Sequence, residues 1–309
     1  MPAIWIPKRL VDIGLINTAA EAAASFSCHC EIEYEARVQA AAKEILFSKA
    51  KIVMLTGPSA SGKTTTAHKI AAALCAMGHK SEVISLDNFF KNVEDYPRLA
   101  NGKKDYENVE ALDIKEVNEC LNDIINKDSA DVPEFDFITE HRKDKKNKVE
   151  IKGGVAIVEG IHALNPKLIE LVPDDKVYKI YAGLREEYAY EGIRFLPTRD
   201  IRLARRMVRD YKFRGHSLEK TLSMWTNVCD GEDRYIKVFK PNADLLFDTS
   251  FSYEICCLAP FVKTFSNALD KDNLYFQMLT SLVNKFSYCD NIQEGYIPQN
   301  SMLREFIGC

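Results

Sequence analysis

Val53-Met54-Leu55-Thr56-Gly57-Pro58-Ser59-Ala60-Ser61-Gly62-Lys63-Thr64-Thr65 reads as an apolar strand, a G-x-x-x-x-G-K-T loop and the start of a helix. Strand, glycine-rich loop and helix in that order are the context a phosphate-binding P-loop requires. Gly57 and Gly62 let the backbone turn tightly with no Cβ in the way. The N–H groups of the loop and the positive end of the helix dipole then converge on phosphate oxygens. Lys63 reaches the outer phosphates as a point charge, and the Thr64 hydroxyl is placed to hold Mg²⁺.

Outward from this loop, apolar runs alternate with helical periodicity. Residues 81–87 form a strand ending in Asp87, and Gly154-Val155-Ala156-Ile157-Val158-Glu159 forms another ending in Glu159. Further strands are expected over 177–181 and 243–248, and helices over 33–48, 65–77, 111–126, 199–213, 258–269 and 274–286. Phe135-Asp136-Phe137-Ile138 reads as a hairpin arm and the charged run 143–148 as a solvated loop. Strands alternating with helices imply an α/β fold of the P-loop NTPase type, a doubly wound parallel sheet flanked by helices. Ligands in such sheets sit beyond the carboxyl ends of the strands, so Thr64, Asp87 and Glu159 share one rim. Their oxygens suit Mg²⁺, with Asp87 as the base and Glu159 as the acid that ends the second apolar strand.

The helix over 199–213 carries Arg202, Arg205, Arg206 and Arg209 at i, i+3, i+4 and i+7, on one face. Ile201, Ala204, Val208 and Tyr211 form the opposing apolar stripe. Like charges at these spacings destabilise an isolated helix, so an anionic partner is expected for the arginines, and ATP phosphates are the obvious one. Asp105, Glu107, Glu110 and Asp113 form an acidic loop able to accept hydrogen bonds from a sugar diol; Asp113 equally suits a helix cap.

Composition bounds the rest. The 309 residues are 46% hydrophobic and 28% charged, enough for a full core. A net charge of −4 argues against a general nucleic-acid binder. Nine scattered cysteines fit reduced thiols in the cytoplasm, and Cys28-His29-Cys30 lacks the second ligand pair of a metal finger. No apolar run approaches the ~20 residues of a membrane span. The expected organisation is an extension over 1–48, with a helix leading into the core, then a catalytic unit over 49–309 that includes a C-terminal helical tail.

The loop, Ser85-Leu86-Asp87-Asn88-Phe89-Phe90, the acidic loop, Pro133-Glu134-Phe135-Asp136-Phe137, Glu159-Gly160-Ile161 and Arg202-Leu203-Ala204-Arg205-Arg206-Met207-Val208-Arg209-Asp210 together resemble the uridine kinase (uridine–cytidine kinase) branch of the phosphoribulokinase/uridine kinase family. The ending from Ile297 to Gly308 is similar to a bacterial-type subgroup. The resemblance implies transfer of the γ-phosphate of ATP to the 5′-hydroxyl of a ribonucleoside, uridine or cytidine first, in pyrimidine salvage. Asp87 would be the base and, with Thr64 and Glu159, the Mg²⁺ site. Lys63 and residues 57–65 would hold the donor. Arg202, Arg205, Arg206 and Arg209 match the lid and the substrate-side arginines of an Arg-rich lid helix. Phe90, Glu107, Phe135, Glu140 and Arg142 fall at substrate-binding positions. The family has an Asp at Glu107, a Tyr at Phe90 and Phe135, and a base-reading His at Glu140, which leaves the base open. The partner would be a small molecule, with homo-oligomerisation open. Two rival readings remain at this level: a kinase of the same family for a phosphorylated sugar or a pantothenate-like alcohol, and a non-kinase P-loop ATPase or switch. The switch lacks a guanine-reading N-K-x-D, since only Asn126-Lys127-Asp128-Ser129 comes near it.

Overall fold

The computed structural model describes residues 7–99 and 102–308. Residues 1–6 of the expected extension and Cys309 lie outside them. The chain runs β1 (Arg9–Asp12), α1 (Ile13–Ala20), α2 (Ala23–Ser48), β2 (Ile52–Thr56), α3 (Lys63–Ala76), β3 (Ser81–Ser85), α4 (Ile114–Lys127), β4 (Ser129–Asp136) and β5 (His141–Glu150). It continues β6 (Val155–Glu159), β7 (Val177–Gly183), β8 (Glu186–Tyr190), β9 (Ile193–Leu196), α5 (Thr198–Phe213), α6 (Leu218–Gly231), β10 (Leu245–Asp248), α7 (Glu254–Thr264), α8 (Phe276–Ser287) and α9 (Arg304–Ile307).

The central sheet has the order β10-β7-β2-β6-β3, and every pairing is parallel. Every residue of β2 and of β6 is buried, as a strand covered on both faces requires. Alternate side chains feed two cores: Val53 and Leu55 pack with α2, α3, α5 and α7, while Ile52 and Met54 pack with α4. This alternation is the doubly wound, P-loop-type fold that the strand and helix pattern implies.

The N-terminal segment shares the first core. Helix α2 begins at Ala23, ten residues before the expected start, and buries Ser27, Cys30, Tyr34, Val38, Ala41, Ala42 and Ile45. The Tyr34 ring stacks on Phe251 at 4.6 Å, and its hydroxyl lies 2.7 Å from Thr66 Oγ1 on α3. A second sheet, β1-β8-β9, has no counterpart in the sequence reading; β1 pairs parallel to β8. The run 143–148 is not a loop: it lies within β5, antiparallel to β4. The run is exposed along the strand, so its charges stay solvated with no burial penalty, and its lysines meet carboxylates on neighbouring elements, Lys143 on Glu134 and Lys146 on Glu116.

Candidate active site

The loop between β2 and α3 has the geometry its glycines demand. A Cβ on Gly57 would lie 2.3 Å from the Ala182 carbonyl oxygen, and Gly62 sits at φ +80° as it leads into α3. No side chain caps α3, so the N–H groups of its first turn are open to an anion. Three arginines of α5 grip the loop from outside. Arg202 donates to the Ser59 carbonyl at 3.0 Å, Arg206 to Ser59 Oγ at 2.8 Å and Arg205 to the Ala60 carbonyl at 3.4 Å.

Pairing register sets the rim. Leu55 opposes Glu159, and Glu159 opposes Ser85, so the ends of β2, β6 and β3 are level. Glu159 is buried and accepts from Thr64 Oγ1 at 3.1 Å and Ser85 Oγ at 2.9 Å. Asp87 lies two residues beyond β3, in a single 3₁₀ turn that Ser85 caps, and is half-buried. Burial pushes the Asp87 carboxyl above its ordinary range, against the pull of Lys63 and Arg214. Burial also raises Glu159, against Lys63, while the nearby Asp87 adds to the rise. Lys63 therefore acts on both carboxylates.

These residues fit a magnesium ion. Among the described residues no three His, Cys, Asp or Glu side chains form a metal cage. Burial disfavours the ionised forms of Asp87 and Glu159, Glu159 is bonded to the Thr64 hydroxyl, and the charge of a bound Mg²⁺ would hold both acids ionised.

Glu107 belongs to the same centre. It is half-buried, burial pushes its carboxyl up to about 7, and Arg206, Lys63, Asp105 and Asp87 all act on it. It borders a cleft of about 690 Å³ whose other walls include Asp105, Tyr106 and the α6 residues Met224 and Gly231. The aromatic side of the site is a chain of rings: Phe90 lies 5.7 Å from both Tyr96 and Phe135, and Phe135 lies 5.2 Å from Phe137. Glu140 sits at φ +57° in the β4–β5 turn, 3.5 Å from the Tyr106 hydroxyl. Arg142 departs from expectation. Its guanidinium is bonded to Asp113 and Glu116 and is spoken for at the start of α4. Asp113 is the cap of that helix, accepting from Glu116 N at 3.0 Å.

The arginine stripe needs correction too. Ile201 to Val208 is buried almost all round, and the anionic partners of the stripe are the chain's own carboxylates. Arg202 pairs with Glu232 and Arg205 with Glu254, both at 2.6 Å and both buried. Arg205 also donates to the Thr249 carbonyl at 3.0 Å and lies over the Phe306 ring. It is thus committed to the core rather than to a phosphate. Arg206 and Arg209 share Asp210, and only Arg209 of the stripe is part-exposed. Tyr211, placed on the apolar stripe by periodicity, is 56% exposed.

Sequence reasoning missed Arg214, whose charge acts on Asp87 and which also faces Asp210 and Glu305. The helical pattern stops at Phe213, so the only available signal was one more arginine a turn beyond the stripe. It also missed His162, which burial holds at about 4, hence neutral, beside Asp105 and Glu107.

The profile of the Phosphoribulokinase / Uridine kinase family matches residues 52–255. The uridine kinase of Borrelia garinii subsp. bavariensis is 29% identical over 228 residues, covering 74% of this chain and 99% of that protein. The uridine kinase of Staphylococcus haemolyticus is 28% identical over 205 residues, covering 66% and 90%. A structure described as a possible uridine kinase from Bacillus stearothermophilus aligns with a TM-score of 0.49 at 18% identity, covering 70% of this chain and 100% of that one.

Proposed function

We propose, from the premise that the chain belongs to the phosphoribulokinase/uridine kinase family, that it transfers the γ-phosphate of ATP to the 5′-hydroxyl of a ribonucleoside, uridine or cytidine first. Membership makes it a phosphotransferase with an alcohol acceptor, a kinase that uses ATP. The observation that carries the acceptor assignment is the half-buried Glu107 on the wall of the cleft, its carboxyl raised by burial and within reach of the charges of Arg206, Lys63, Asp105 and Asp87.

In this reading Asp87 takes the proton of the attacking hydroxyl, and the rise that burial gives its carboxyl makes it a stronger proton acceptor. Lys63, Arg206, Arg209 and Arg214 hold and neutralise the phosphoryl oxygens, while Arg202 and Arg205 keep the loop in shape. Thr64, Asp87 and Glu159 would hold Mg²⁺, which would supply positive charge to the donor's phosphates. Glu107 accepts from the ribose hydroxyls, and Phe90 and Phe135 flank the base, with Glu140 at its edge. We take residues 49–309 as the kinase unit, working in the cytoplasm, and 1–48 as an extension whose described helices share the core of that unit. No helix among the described residues is long and apolar enough to cross a membrane.

The test is a panel of nucleosides with Mg·ATP, read as ADP formed. Turnover with uridine or cytidine is expected, and no ADP with any nucleoside would overturn the reading. A second reading, a phosphorylated sugar as acceptor, is favoured by Arg98 and Lys104 lining the cleft beyond Glu107. Competition by unlabelled uridine against phosphorylation of the sugar separates the two.

A further inference from the structure

The C-terminal segment, outside the residues the family profile matches, lies directly on the phosphate loop. The Met302 sulfur is 2.5 Å from where a Cβ on Gly62 would sit, so only glycine at 62 lets the segment approach this closely. Glu305 Oε2 accepts from Thr65 Oγ1 at 2.6 Å. Thr65 stands in the first turn of α3, next to Lys63 and Thr64 and among the open N–H groups that would receive phosphate oxygens. A carboxylate therefore rests where the donor's negative charge is to be placed.

The segment is not a loose strap. Arg304 ties it into a knot, donating to the carbonyls of Glu294 and Gly308 at 2.9 Å and to that of Pro298 at 3.3 Å. Met302, Leu303, Phe306 and Ile307 are buried, and Lys212 donates to the Ile307 carbonyl at 2.6 Å. The backbone at Glu305 is therefore fixed, and only its side chain is free to swing. Arg214, at the end of α5, is the cation whose charge meets Glu305.

We infer that Glu305 sets donor affinity: it is a resident anion of the cradle that competes with the triphosphate for the first turn of α3. The Thr65 hydroxyl has one proton to give, to Glu305 or to a phosphate oxygen. The side chain of Glu305 must release Thr65 for the donor to seat fully, and its charge opposes the polyanion throughout. This inference rests on the donor site proposed above.

The test is calorimetric binding of tripolyphosphate and of Mg·ATP to the full chain and to Glu305→Gln, which keeps the shape and removes the charge. Binding to Glu305→Gln is expected to be about 5- to 10-fold tighter at low salt, the size of one partly screened carboxylate beside a polyanion. The gap should narrow as salt rises. Thermal unfolding without ligand checks the fold; should the Gln variant fail to fold, Glu305→Asp, which shortens the reach to Thr65, carries the same expectation in smaller measure. Equal or weaker binding by the variant, with the unmodified chain binding normally, overturns the role of Glu305. Failure of both proteins to bind either probe overturns the donor site itself, and this inference with it.

Discussion

At the phosphate end, the loop from Gly57 to Gly62 is held by Arg202 and Arg205, each buried and paired with its own carboxylate. At the acceptor end, Phe137 and Ile138 stand 61% and 94% exposed beyond half-buried Glu107 and Asp87. One end is built from long helices and sheet ends, the other from a 3₁₀ turn, a hairpin tip and a polar loop. A phosphate presents the same oxygens in every turnover, so its cradle is built rigid. An alcohol has to enter and leave, and the walls proposed for it sit on the segments that cost least to rearrange.

Asp87 lies where the two ends meet, and its replacement tests that meeting most severely. Asp87→Asn is expected to lower kcat by about 10²- to 10⁴-fold while calorimetry still shows ATP binding. Normal turnover would remove the base from this position. The rigidity of the phosphate end is tested by Arg205→Ala, which strands Glu254 in the core. A loss of about 3–5 kcal/mol in unfolding free energy is expected, read by denaturant titration. A stable variant that merely turns over slowly would return Arg205 to the phosphates and erase the contrast.

The acceptor end should respond to pH. Glu107, at about 7, carries a proton below that pH and then accepts poorly from a diol. Acceptor binding, measured in an Asp87→Asn background to remove one of the other raised carboxyls of the site, should weaken by about tenfold per pH unit below that point. Adding Glu107→Gln should flatten the dependence. The sign for stability is opposite: a folded-state carboxyl above its unfolded value stabilises the fold at low pH. That contribution is lost as pH rises from the ordinary carboxyl range to about 7. The smallest effect belongs to the hairpin. Lys143→Ala removes an exposed pair with Glu134 and should leave the denaturant midpoint essentially where it was. A clear drop would mean the charged strand holds the acceptor wall in place.

The contrast between the ends also governs how much could be read from the sequence. The places of the loop, Asp87 and Glu159 at the strand ends were legible because a glycine-rich turn or a carboxylate closes each apolar run. The first half of α2 was not, because its buried stripe runs through Ser27, Cys30 and Tyr34 rather than aliphatic residues. β8 was hidden for a related reason. Its Glu186 and Glu187 are both buried, and Arg9 and Lys8, far away in sequence, are among the partners that neutralise them, with Arg194 also on Glu187. Periodicity counted the arginines of α5 correctly and misread their partners, since Glu232 and Glu254 meet them only in the folded chain. Arg142 was misassigned in the same way, its partners lying on α4.

The bonds of Arg205 to Ala60, Thr249 and Glu254 join the phosphate loop, the strand-end turn after β10 and helix α7 through a single planar group. Breathing of the loop alone would have to strand that group without partners in a dry interior. Amide protons between Ser59 and Gly62 should therefore exchange with deuterium only when α7 opens as well, in one cooperative event.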